Sequence, residues 1–355
     1  MELLKIEWKK TKYRKYTHSI ELMKFLLTPF VCFWAFGFPD KIGLVEVLSG
    51  FVAPAYIILS GYCILVEDRE ERLGKLKRAM LRSLVFFILL FVIYFAMNLI
   101  NPLSSQAVSI EMVKSKRMWF EFLVLNMWPL PIGSTIWFIQ SLLYAYVVLW
   151  IFDKIHILKI YKVLLFLLLV FMLISGEFAG LVGFNFLGYA FIPGGWLTRA
   201  LPYLLIGMLL REMKEKMKKL QAWKYIVAFF IGGGLVVGEL ILLAKMGRLI
   251  YQGHMIGYGM MAVAICGLAI VWEGMKRNQL SIHGESFAKR IYAVHNPVYY
   301  FLLVFVMSQV PQNLGMFMSF GGIIVYLVSL LICVVISLVK MMLPRHGYDG
   351  DDVVL

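Results

Sequence analysis

Few side chains in this chain can do chemistry, and they lie inside long apolar runs. "ELMKFLLTPFVCFWAFG", residues 21–37, opens with Glu21 and Lys24, three positions apart and so on one face of a helix. Polar groups inside a spanning helix are costly and mark either a functional pathway or a self-neutralising pair. Both readings stand for Glu21 and Lys24. Apart from Lys24, and from Lys162 and Lys224 in the first turns of their spans, the expected spans contain only Arg82 and Arg199 as lysine or arginine. Arg82 follows Arg78 by one turn, and Arg69, Arg72, Lys75 and Lys77 complete a basic collar. Guanidinium groups bind phosphate oxygens bidentately, so the collar can dock a phosphorylated donor. It can equally consist of snorkelling cations that set topology and bind anionic lipid. Arg199 opens a span and can snorkel in the same way.

His295 differs from the other five histidines, which fall in loops or at span ends. "RIYAVHNPVYY" places it several residues into a span, followed by Asn296 and Pro297. A buried imidazole can be a general base, or it can pack beside a proline kink. Pro297 has no N–H, which frees a carbonyl one turn back for a polar neighbour. Glu239 and Glu273 also lie deep, and neither has a partner visible in the sequence. The four cysteines sit in apolar runs, which argues against a disulfide framework, and no metal-ligand spacing occurs.

The elements that must position these groups are membrane spans. Of 355 residues, 61% are apolar and 16% charged, against about 45–50% and about 25% in soluble domains. About 20 residues cross the hydrocarbon core. The expected spans are 20–38, 42–66, 81–99, 136–152, 160–174, 196–210, 222–243, 255–272, 291–310 and 316–338. Twenty-six of the 35 lysines and arginines fall in one set of alternating loops and tails, and six in the other. That asymmetry predicts an all-α polytopic membrane protein of about ten transmembrane helices, with the N and C termini cytoplasmic. It also explains the net charge of +14 as topology, without nucleic acid. Residues 118–128 are expected to form an interfacial helix on the outer side, and 176–196 an outer loop dipping into the bundle. The chain reads as a basic tail (1–19), one transmembrane domain (20–339) and a C-terminal tail (340–355), in the plasma membrane.

Five stretches in order resemble the acyltransferase-3 family of membrane acyltransferases: "YTHSIELMKFLLTPFV", "FVAPAYIILSGYCI" with the basic loop to "RAMLR", "GSTIWFIQSLLYAY", "RALPYLLIGMLL" and "SFAKRIYAVHNPV". The resemblance implies a ten-span bundle that moves an acyl group, acetyl above all, from cytoplasmic acyl-CoA to a hydroxyl of a cell-surface glycan or lipid-linked sugar. By the same resemblance Arg78 and Arg82 hold the coenzyme A phosphates, with Lys24 at the place of the family's first-helix basic residue. Trp137, Gln140 and Ser141 line the passage, and Arg199 faces the acceptor. No metal is implied. The partners expected are membrane lipid, acyl-CoA, the saccharide acceptor, and either a polysaccharide synthase or a second copy of the chain.

One departure stands out. The family's histidine, eleven positions after the first-helix basic residue, is Ala35 here. His295, from another helix, is the expected replacement as base, with Glu21 beside the entrance. The alternative is a non-catalytic relative that assists export or flipping of a surface polysaccharide.

Overall fold

The computed structural model describes residues 18–40, 42–100, 115–128, 132–175, 196–247, 255–274 and 279–342. All of the expected loop at 176–196 except Trp196, and most of both tails, lie outside these residues. Among the described residues every regular element is helical.

The first span is divided. Helix α1 (His18–Leu26) gives way at Leu27 to α2 (Thr28–Phe36), which carries Pro29 in its first turn. The Thr28 hydroxyl donates to the Phe25 carbonyl at 2.7 Å, which steadies the break. Next come α3 (Leu44–Leu48), α4 (Val52–Ile64) and the long α5 (Arg69–Ile100). Helix α6 (Lys116–Leu123) is short and lies where the interfacial helix was expected. Then follow α7 (Trp137–Lys154), α8 (Tyr161–Ser175), a π-helical turn (Trp196–Ala200) continuing into α9 (Leu201–Glu212), and α10 (Lys214–Lys218). The chain ends with α11 (Ala222–Lys245), α12 (Ile256–Val271), α13 (Gln279–Gln309) and α14 (Leu314–Met342).

Among the described residues, eight helical stretches are long and apolar enough to cross a membrane. Two expected spans, 136–152 and 196–210, are helical but not among them. Helix α7 buries Gln140, Ser141 and Asp153, so its composition is that of a helix surrounded by protein. The other is short. The protein is therefore a multi-pass, all-helical membrane protein.

Its centre is built by close backbone approach. A Cβ on Gly61 of α4 would sit 2.1 Å from the Leu204 carbonyl oxygen of α9, and one on Gly207 would sit 2.2 Å from that of Ile58. Small residues at such crossings replace the hydrophobic drive that lipid cannot supply. Ile57, Ile58, Leu59, Leu204 and Leu205 are sealed around this seam.

Candidate active site

Helical spacing brings the candidate groups to one cavity of about 610 Å³. Lys24, Thr28, Val31 and Trp34 descend one face of α1 and α2 into it. From α5 come Lys75, Arg78, Arg82, Val85, Phe86 and Leu89, again one face of one helix. Lys289 and Tyr292 of α13, Tyr56 of α4 and Trp137 of α7 supply further wall. Among the described residues no carboxylate and no imidazole lines it. Five cations from three helices thus share one cavity, and the Glu71 carboxylate stands 3.4 Å from one of them, Lys75. The Tyr56 hydroxyl donates to the Lys24 carbonyl, which ties the α1 turn carrying that lysine to α4.

Not all of the basic collar reaches the cavity. Arg72 makes two charge-assisted bonds to Asp153, at 2.9 and 2.7 Å, and a third to the Val66 carbonyl at 2.8 Å. Arg69 donates to the carbonyls of Asp153 and Lys154 at 3.2 and 2.9 Å. Arg69 thus satisfies carbonyls at the C-terminal end of α7, where helical donors run out, while Arg72 pairs with the Asp153 side chain. Lys289 is a cavity cation that the sequence reading had assigned to topology.

Trp137 lines the cavity, and Arg199 stacks over its indole at 5.0 Å while Trp34 meets it edge-on at 6.2 Å. Arg199 is buried. Gln140 and Ser141 lie outside the cavity lining. Gln140 donates to the Phe122 carbonyl at 2.6 Å, and the Ser141 hydroxyl accepts from Asn126. Their neighbour Tyr144 donates to the Leu123 carbonyl at 2.6 Å. Together they hold α6 and the turn after it against α7. Glu21 has its carboxylate 3.5 Å from His18 Nδ1, and a Cβ added at Gly284 of α13 would sit 2.5 Å from its carbonyl oxygen.

His295 is fully buried, one turn beyond the lining residues Ile291 and Tyr292. Its Nδ1 lies 3.1 Å from the Ile291 carbonyl, an acceptor, so Nδ1 carries the proton. Nε2 then holds the lone pair, and it has no partner among the described residues. The ring lies between Phe36, at 5.7 Å, and Tyr292, at 5.5 Å. Phe36 is the neighbour of Ala35, so this imidazole sits beside the place that the first-helix histidine would occupy. Around it runs a polar network. Tyr292 donates to the Thr135 carbonyl, and Asn296 donates to the Thr135 hydroxyl. The Tyr94 hydroxyl reaches the Ala293 carbonyl at 3.4 Å.

Glu273, partnerless in sequence, holds a second charge cluster. Lys218 and Lys214 lie 2.6 and 2.8 Å from its carboxylate, Arg211 lies 3.7 Å away, and Tyr62 donates to it at 3.5 Å. The Lys218 ammonium, hydrogen-bonded to this carboxylate, is held above the ordinary lysine range.

The chain is thus a multi-pass bundle enclosing a cation-rimmed cavity, with a buried imidazole behind one wall. A family model described as an acyltransferase domain matches residues 17–342, almost the whole chain, and the protein belongs to the acyltransferase-3 family. No curated protein and no solved structure matches.

Proposed function

We propose that the protein is an O-acyltransferase of the plasma membrane that moves an acyl group from cytoplasmic acyl-CoA to a hydroxyl of a cell-surface glycan or lipid-linked sugar. Acetyl is the group that the family resemblance implies. The bundle crosses the bilayer ten times with both termini cytoplasmic, the arrangement that the 26-to-6 distribution of lysine and arginine favours. Residues 20–339 are the transferase domain.

The observation that carries this reading is the convergence of Lys24, Arg78 and Arg82 on one cavity. Cations there hold the phosphates of the donor, and the shaft below leads its thioester toward Trp137 and Tyr292. The acceptor hydroxyl attacks the thioester carbonyl, the C–S bond breaks, and coenzyme A leaves as a thiolate. His295 Nε2 takes the hydroxyl proton and returns it to the thiolate, once the Tyr292 ring gives it access to the cavity. Glu21 completes the charged entrance, and Arg199 orients the acceptor through its contact with Trp137. Positioning two reactants in one cavity supplies much of the rate. Purified protein given acetyl-CoA and a glycan acceptor should release free coenzyme A. Cells lacking the protein should lose ester groups from their surface glycan. Release at the rate of a protein-free control would overturn the proposal.

A specific observation favours a second reading. No imidazole lines the cavity among the described residues, and Ala35 stands where the family histidine belongs. A protein that assists export of a surface polysaccharide, working with its synthase, needs the cations and no base. Deletion would then change the amount of polymer and leave its ester content per sugar constant.

A further inference from the structure

The cavity has a second property that a polar donor does not call for. Beneath its cations the walls are hydrocarbon and aromatic. On α5 the lining continues from Arg82, the deepest of its cations on that helix, to Leu89, about 10 Å along the helix axis at about 1.5 Å per residue. That is about a third of the roughly 30 Å hydrocarbon core. Two of the hydroxyls in the wall are already committed, Thr28 to the Phe25 carbonyl and Ser60 to the Tyr56 carbonyl. Three α5 residues that line the cavity are about half uncovered by protein: Leu81 at 50%, Val85 at 52% and Leu89 at 44%. Their neighbours Leu84 and Ile88 are exposed and lie outside the lining, so this edge of the cavity adjoins the outward face of α5, which in a spanning helix meets lipid.

An apolar space of this volume with a bilayer against its opening fills with hydrocarbon, since dry apolar cavities take apolar guests. Basic pockets between transmembrane helices bind anionic headgroups. We infer that the cavity binds a phosphate-headed membrane lipid that enters sideways past Leu81, Val85 and Leu89, its phosphate among Lys24, Arg78, Arg82 and Lys289 and its chain along Phe86 and Leu89. The lipid and the coenzyme A of the proposed function compete for the same cations, so loading of the donor requires expulsion of the lipid. This inference goes beyond catalysis and stands whether or not acyl transfer occurs.

The test is native mass spectrometry of the full-length protein in detergent, titrated separately with dioleoyl phosphatidic acid, dioleoylglycerol and glycerol 3-phosphate. One phosphatidic acid should bind per chain, at least tenfold more tightly than either fragment, which lacks head or tail. Ser83→Trp and Ala79→Phe both fill the cavity and keep every cation. Each variant that elutes and melts like the parent should lose tenfold or more in phosphatidic acid affinity. Free coenzyme A should displace the lipid one for one. Equal binding of phosphatidic acid and dioleoylglycerol, or full retention in both filled variants, would assign the lipid to the outer surface and overturn the inference. Binding of both ligands without displacement would overturn the shared site. Coenzyme A binding without phosphatidic acid binding sinks this inference alone, while the converse sinks the proposed donor and leaves the lipid site standing.

Discussion

The Tyr94 hydroxyl lies 3.4 Å from the Ala293 carbonyl, the carbonyl that Pro297 leaves without its helical donor. A proline inside a membrane helix removes one i→i−4 bond, and the freed acceptor must find another partner in a medium without water. Here α5 supplies that partner, within the polar network around His295. Tyr94→Phe should lower thermal stability in detergent by about 1 kcal/mol, the usual net value of one such bond. In a Pro297→Ala background, where the amide returns, the same substitution should cost measurably less. Additive losses in this double-mutant cycle would separate Tyr94 from the kink.

The cations of the cavity should act on donor affinity. Arg78→Gln combined with Arg82→Gln removes two charge-assisted contacts, each worth about 1.5–3 kcal/mol. Calorimetric titration of free coenzyme A should show a loss of at least tenfold, and Arg69→Gln, whose side chain serves the end of α7, should bind like the parent. A similar loss in Arg69→Gln would mean a diffuse field acts in place of a site.

His295→Ala should reduce coenzyme A release by roughly 10²–10⁴-fold while the affinity for coenzyme A stays constant, because the imidazole lies away from the cations. Ala35→His places an imidazole at the family position, one residue from the Phe36 ring that packs on His295. It should restore part of the turnover lost in His295→Ala. Unchanged turnover in His295→Ala excludes this residue as the base.

The Arg72–Asp153 pair tests the scaffold. Asp153 is buried, and removal of its partner leaves a carboxylate stranded, a loss of about 3–5 kcal/mol. Arg72→Ala should therefore melt far earlier than the parent. The double variant Arg72→Ala with Asp153→Ala should recover most of the difference by differential scanning fluorimetry.

Much of the architecture was legible because bilayer thickness converts apolar runs directly into helices. The face Lys75–Arg78–Arg82 was readable from helical spacing, and so was the orphaned carbonyl before Pro297. Its partner was not, since Tyr94 lies about 200 positions away in sequence and looks like any aromatic residue of a lipid-facing helix. Gln140 and Ser141 show a different limit. A polar residue in an apolar helix signals an inside contact but not which inside, and theirs is the α6 segment. Lys289 was hidden in a basic cluster whose charge already had an explanation in topology. Arg69 and Arg72 were grouped with Arg78 because sequence proximity stood in for direction. Glu273 needed three cations from around α10 that only the fold brings together.

The Gly61–Gly207 seam has one more implication. Two backbones in van der Waals contact have no side chain between them that could shift, so α4 and α9 move as a single plank. Tyr56 ties the α1 turn that carries Lys24 to the same plank. When the shaft widens to admit a guest, the displacement falls on α5, the wall whose outward face at Leu84 and Ile88 no other helix covers. Deuterium uptake that changes on loading should therefore concentrate between Arg78 and Leu89, leaving residues 57–62 silent.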